Sequence, residues 1–494
     1  MSTSQAVSAP FAASEPYADL QLYIAGEWVA KGNRKSQPVV SPATGATLGE
    51  VPHASTEDLD RALAAAQESF PKWRAMPPHE RGKILHKAGD LLMERAERIA
   101  RIATLEEGKT LAEAKWEVSL AAEIFHWYAE EGRRAYGRVL PQRAAGVRMT
   151  VVKEPVGPVA AFAPWNFPIG NPARKIGSAL GAGCSVIVKP AEETPGAALE
   201  VARALADAGL PKGVLSMVFG VPAFVSTHLI SSPVIRAISF TGSIPVGKQL
   251  MKLAADGMKR TTMELGGHGP VLVFDDVDVD QVLDLSMMAK YRNAGQVCVS
   301  PTRYYVHESI YERFVEGFTA RAKSWRVGDG LEPASQMGPM ANPRRISAMD
   351  MFIGDARDKG GKVNVGGAPL KVEGKPGGFY YRPTVLSDVS NEARIMNEEP
   401  FGPVAIVNPF AKFEDAVAQA NRLPYGLAAY AFTRSAKTVN LVGEQLESGM
   451  IGINSYQISV PESPFGGVKE SGHGSEEGIE GLEACLVTKF ITES

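Results

Sequence analysis

The sequence predicts an α/β protein of two doubly wound domains in series, on two observations. From Gly157 short apolar runs alternate with helical stretches, and a second alternating region runs from Pro270 to about Pro461. Short apolar runs separated by helices are the pattern of parallel strands covered on both faces. A chain of 494 residues also exceeds one ordinary core, so more than one domain is required in any case.

Taken in order, the first twenty residues carry Ser and Ala with Glu15 and Asp19 but no Lys or Arg. That suits a loose N-terminal arm (1–21) and neither a secretory leader nor a transit peptide. Residues 22–29 read as a short hairpin with Gly26 in its turn, followed by polar loop to Pro52. Thr56 is the expected N-cap of a helical region whose apolar positions recur through Phe70, then over 81–105 and 112–128. Trp73, Trp116 and Trp127 lie on these helices and read as core or interface residues.

In the first alternating region strands are expected at 159–163, 185–188, 215–218 and 235–240, with helices at 173–180, 195–208 and 223–230. Pro195 suits a first turn and Gly209 a stop. In the second, strands are expected at 271–274, 304–306, 384–386 and 404–407, and helices at 282–290, 310–325 and 416–421. The Gly/Lys-rich stretch 360–378 reads as a surface excursion.

Composition excludes several classes. With 45% hydrophobic and 22% charged residues and a net charge of -3, neither nucleic acid nor an anionic membrane is an expected partner. No apolar run approaches the ~20 residues a membrane helix needs. Three scattered cysteines make no disulfide framework, so a reducing, cytoplasmic location is expected. The eight histidines show no metal-ligand spacing, and no metal site is predicted.

Five stretches carry candidate chemistry. Cys298 lies in a loop beyond a helix, three residues after Gly295. A thiolate there is a candidate for covalent catalysis, although alone such a cysteine reads more often as a small buried hydrophobe. The run from Gly242 to Gln249 resembles a phosphate loop until Gln249 replaces the magnesium-binding hydroxyl. What remains is Gly242 and Ser243 at a strand end, opening a helix whose amides could receive a phosphate of a dinucleotide.

Lys189 and Glu192 close another strand. An acid there can accept from adenosine ribose hydroxyls while repelling a 2′-phosphate, which favours NAD over NADP; a solvated Lys/Glu pair is the alternative. Glu264 ends a strand before Gly266 and Gly267, a carboxyl whose pKa burial would raise into the range of a general base. Asn166 sits in a Pro-bounded aromatic turn, as an oxyanion donor or as a turn residue capping its own backbone.

These stretches occur in one order with Glu399-Pro400-Phe401-Gly402-Pro403 and Pro464-Phe465-Gly466-Gly467. Together they resemble the aldehyde dehydrogenase superfamily from about Leu22 to the C-terminus. The resemblance implies that Cys298 attacks the aldehyde carbonyl, with Asn166 and the Cys298 amide holding the oxyanion. It implies that Glu264 activates the hydrolytic water, so that water and not coenzyme A accepts the acyl group. Trp165, Lys189, Glu192, Gly242, Ser243, Glu399 and Phe401 would hold NAD. The domains implied are a Rossmann-like NAD-binding unit (22–137 and 156–266), a catalytic unit (267–462) and a small β oligomerisation arm (138–155 and 478–494). In that arm 150–153 would pair an edge strand across subunits of a homodimer or homotetramer.

Within the superfamily the chain is similar to the NAD-dependent succinate-semialdehyde dehydrogenases. That branch implies Arg174, Arg292 and Ser459 as a clamp on the substrate's distal carboxylate, with Phe167 and Phe465 beside it; Arg forks match carboxylates in bidentate geometry. An α-ketoglutaric or glutarate semialdehyde dehydrogenase, or a general aldehyde dehydrogenase, is the alternative, and loop 455–463 separates them. His268 and Ser300 depart from the pattern, standing where many relatives have Lys and some a second Cys, so no disulfide switch at Cys298 is expected. Outside this chemistry stand a non-catalytic binding protein and a cofactor-free thioesterase.

Overall fold

The computed structural model describes residues 17–494, so most of the N-terminal arm lies outside the described residues. The described end of that arm is docked: Leu20 is buried and the Tyr17 hydroxyl donates to buried Glu106.

Two large sheets organise the chain. The first has eight strands in the order Gly472–His473, Arg260–Glu264, Ala237–Thr241, Val159–Phe162, Val186–Lys189, Leu215–Met217, Leu22–Ile24, Glu27–Val29. Its five central strands are parallel, and Val159–Phe162 and Val186–Lys189 are buried along their whole length. Burial on both faces is why these runs read as continuous apolar stretches with no alternation. The second sheet has seven strands, ordered Lys362–Val365, Thr384–Ser387, Val404–Phe410, Pro301–His307, Gly269–Val273, Ala428–Phe432, Met450–Ile453. Separate apolar clusters fill the space around each sheet.

The expected α/β architecture is present, with local corrections. The N-cap of the first long helix, Thr56–Ala75, is Ser55, whose hydroxyl accepts from the Asp58 amide while Asp58 accepts from the Ser55 amide. This reciprocal box satisfies two amide donors that Thr56 could not reach. Residues 81–105 form two helices, Pro78–Glu94 and Ala96–Glu107, broken at Arg95. Their apolar periodicity continues across the break, which hides it.

The polar stretch before Pro52 is a hairpin, Ser36–Val40 against Thr47–Pro52, too polar to announce itself. Residues 360–378 include the edge strand Lys362–Val365. Residues 150–153 belong to Arg148–Pro155, the middle strand of a three-stranded sheet between Leu486–Glu493 and Arg138–Leu140. The chain's own tail covers one side of that strand, leaving the free edges to its neighbours.

The parallel strands place their carboxyl ends side by side, where ligands of open α/β sheets bind. Glu264, the Thr241–Ser243 turn, the 163–168 turn and Lys189 follow four adjacent strands. Among the described residues no helix is long and apolar enough to cross a membrane, and no group of three or more His, Cys, Asp or Glu could hold a metal.

Candidate active site

The helix Val279–Tyr291 delivers the chain into a tight turn at Arg292–Gly295, and Cys298 follows just before the strand Pro301–His307. Asn293, Ala294 and Gly295 all have left-handed backbone, at φ 50°, 51° and 70°. Two such non-glycine residues in succession are held only where the surroundings over-determine them. Here the Asn293 amide donates to Glu113 at 2.8 Å, and a Cβ on Gly295 would collide with the Gly402 carbonyl.

Around Cys298 the expected catalytic residues converge. The Asn166 side-chain amide donates to the Gln296 carbonyl at 3.1 Å. The Asn166 carbonyl accepts from Lys109 Nζ at 2.8 Å and from Asn293 Nδ2 at 2.9 Å. Gly267 packs so tightly that a Cβ there would stand 2.6 Å from the Cys298 carbonyl oxygen. Burial pushes the Cys298 thiol up to about 12; Arg174 opposes the rise, and Glu399 and Glu264 add to it. The resting nucleophile is therefore a neutral thiol that needs a proton acceptor.

Glu264 is 2% exposed and, among the described residues, neither of its carboxyl oxygens has a hydrogen-bond partner. Burial first, then the charge of Glu476, raises its pKa well above the usual carboxyl range. A buried carboxyl without donors costs stability unless it is protonated or receives a ligand, and this one faces the nucleophile's field. Glu476 is in turn ion-paired with buried Lys175, which also donates to Thr241 at 2.7 Å and Ser239 at 3.2 Å.

On the other side of the site, Trp165 meets Phe401 edge to face at 5.6 Å between ring centres. Glu399 accepts from the Gly267 amide at 3.1 Å, and burial raises its pKa to about 7. Lys189 and Glu192 form a buried pair at 2.5 Å, and Glu192 also accepts from the Gly220 amide at 2.9 Å. This is a built, desolvated pair and not the solvated alternative. Ser243 stands at the N-cap of helix Ile244–Ala255 with no capping bond from its hydroxyl, leaving amide and hydroxyl donors for a phosphate.

The three clamp residues divide. Arg174 donates to Ser459 at 2.8 Å and to Glu477 at 2.7 Å, and lies 4.4 Å from the centre of the Phe465 ring. Arg292 stands apart, over Trp116 at 5.2 Å and Phe167 at 5.8 Å, with its Nε buried and unpartnered. Trp116 is thus no core residue: it is 43% exposed, whereas Trp73 is buried.

Sequence reasoning passed over Lys109, Glu113, Glu117, Lys175, Glu476 and Glu477. The signal for Lys175 was available, a second consecutive cation in the wholly buried helix Gly170–Ala182. Lys109 pairs with Glu117 at 2.6 Å, and Glu117 caps the start of that helix through the Ile169 and Gly170 amides. No spacing in the sequence announces that arrangement.

The model of the aldehyde dehydrogenase family matches residues 28–491. The 4-(hydroxymethyl)benzenesulfonate dehydrogenase of Comamonas testosteroni is 49% identical over 471 residues, 95% of this chain and 97% of that protein. The succinate-semialdehyde dehydrogenase [NADP(+)] of Escherichia coli is 42% identical over the same shares. The crystal structure of a succinate-semialdehyde dehydrogenase from Burkholderia pseudomallei superposes with a TM-score of 0.94 at 42% identity, covering 97% of this chain and 99% of that one. The chain belongs to the aldehyde dehydrogenase family.

Proposed function

We propose that the protein oxidises an aldehyde bearing a distal anionic group to the corresponding acid, through a thioester on Cys298. The observation that carries the anionic tail is Arg292, whose guanidinium lies against the Trp116 and Phe167 rings with no carboxylate paired to it among the described residues. A half-buried cation without a counter-ion is a site for one supplied by the ligand.

In this reading Glu264 accepts the thiol proton, Cys298 adds to the carbonyl, and Asn166 donates to the oxyanion from a position fixed before charge develops. The cofactor's residues fit a dinucleotide. Lys189 and Glu192, a buried pair at a strand end, would hold the ribose, the free donors at Ser243 the pyrophosphate, and Glu399 with Trp165 and Phe401 the nicotinamide end. Once bound, the nicotinamide supplies a hydride acceptor. Glu264 then removes a proton from the water that attacks the thioester, and the Glu476–Lys175 pair behind it offers a way out for that proton.

Glu192 supports NAD, since a carboxylate at the ribose disfavours a 2′-phosphate. The eight-stranded unit is proposed as the cofactor-binding part and the seven-stranded unit as the catalytic part. The arm strands at Arg138–Leu140 and Leu486–Glu493 support a dimer or tetramer, and the unpaired thiols a cytoplasmic location.

Succinate semialdehyde is one reading of the anionic substrate, consistent with Arg174 and Ser459 lying together. A sulfonated aromatic aldehyde is the other, favoured by the Trp116 and Phe167 rings at Arg292 and by the Comamonas relative. Steady-state rates with both, and with propanal, under NAD and NADP test the proposal. Anionic aldehydes should exceed propanal in kcat/KM by roughly 10- to 100-fold, the worth of a charge-assisted contact; equal values would sink it.

A further inference from the structure

Two guanidinium groups serve the pocket, and they differ in what neutralises them. Arg174 is 7% exposed, and its fork is already filled: Nε by Glu477 at 2.7 Å, one terminal nitrogen by Ser459 at 2.8 Å, the other by Asn171 at 3.4 Å. The second Glu477 oxygen accepts from Ser459 at 3.5 Å. The carboxylate of Glu477 thus sits between an arginine and a serine as a bound carboxylate ligand would. Glu477 is fully buried, and its backbone is left-handed, at φ 58° and ψ -178°. A non-glycine residue rarely adopts that conformation, so the fold tolerates strain to keep an acid at this point.

Among the described residues Arg292 has no such partner: no carboxylate pairs with it and its Nε is buried without a hydrogen bond. Its neighbour Trp116 is 43% exposed and Arg292 itself is only half-buried, whereas Arg174 is buried and its charge reaches the Cys298 thiol. An anion close to the aldehyde would meet Arg174; an anion on a longer or planar spacer would meet Arg292.

We infer that Glu477 is a specificity-determining residue: the protein's own carboxylate occupies the Arg174–Ser459 anion site, so the substrate's anion is received by Arg292 between Trp116 and Phe167. The inference rests on the reading that the substrate carries a distal anion, and narrows it. Favoured substrates are aldehydes whose anion stands across a flat, ring-sized spacer, such as aryl aldehydes with a para sulfonate or carboxylate. The two-methylene spacer of succinate semialdehyde brings its carboxylate against Glu477, where like charges repel.

The test uses Glu477→Gly, which suits the left-handed backbone, and Glu477→Gln, which keeps the side chain's length but removes its charge. Both are assayed with NAD against succinate semialdehyde, 4-formylbenzenesulfonate and benzaldehyde, with KM and kcat separated. The wild type should prefer 4-formylbenzenesulfonate. In at least one variant KM for succinate semialdehyde should fall about tenfold or more as Arg174 becomes available, while KM for 4-formylbenzenesulfonate does not fall. An unchanged preference in both folded variants overturns the role of Glu477. A wild type that uses benzaldehyde as well as 4-formylbenzenesulfonate overturns the anionic-substrate reading itself, and the inference with it.

Discussion

The side-chain amide of Asn166 donates to the carbonyl of Gln296 across 3.1 Å, two residues before the nucleophile. One amide hydrogen is thereby used to fix the group, and the other remains for an oxyanion. Because Lys109 and Asn293 hold the Asn166 carbonyl independently, Asn166→Ala should leave the turn in place. It should lower kcat by about 10²- to 10³-fold, the usual cost of one oxyanion donor. Stopped-flow measurement of NADH formation checks this, and a loss confined to KM would contradict it.

Lys109 neutralises Glu117 and supports Asn166 from a position 1% exposed. Lys109→Met leaves Glu117 buried beside two backbone amides but without a counter-charge. Breaking a buried pair by removing one partner costs about 3–5 kcal/mol. Denaturant unfolding should therefore show a large loss of stability, and surviving enzyme should show reduced kcat.

The protonation state of Glu264 predicts a pH dependence. Its pKa is raised by burial and by Glu476, and only the carboxylate accepts a proton. The active fraction is therefore small in the ordinary carboxyl range and grows as pH rises, so kcat/KM should climb with pH above that range. Glu264→Gln should lower kcat by roughly 10²- to 10⁴-fold and move the rise to higher pH, toward the thiol's own ionisation. A profile unchanged in shape would remove Glu264 from the chemistry.

The arm leaves Phe490 and Ile491 exposed on Leu486–Glu493, an edge strand. Sedimentation should find a dimer or tetramer, and Phe490→Asp with Ile491→Asp should shift it toward monomer. A monomeric wild type would refute the proposed assembly.

The doubly wound parts were legible because strands buried on both faces and helices buried on one leave distinct periodicities. The hairpin Ser36–Val40/Thr47–Pro52 was not, since its pattern is partly exposed and polar. The helix Pro343–Asp358 and the strands Ala428–Phe432 and Met450–Ile453 also went unassigned. At the site, the candidates Cys298, Glu264, Asn166 and Lys189 were picked out because a turn or strand end marked each of them in the sequence. The charges that neutralise them from afar were not. Glu476 and Glu477 lie 301 and 303 positions beyond Lys175 and Arg174, and only folding reveals which acid meets which base. The unpaired state of Arg292 is likewise a property of the packed pocket.

The central claim is a covalent bond between Cys298 and the substrate's carbonyl carbon. Mass spectrometry of Glu264→Gln enzyme, incubated with NAD and 4-formylbenzenesulfonate or succinate semialdehyde at a raised pH where the thiol ionises without its base and then acid-quenched, tests it directly because the thioester can form there while its hydrolysis still lacks Glu264. The account predicts one acyl group per chain, mapped by peptide digestion to Cys298 and absent from Cys298→Ala. NADH released with no acyl group on that residue would contradict it.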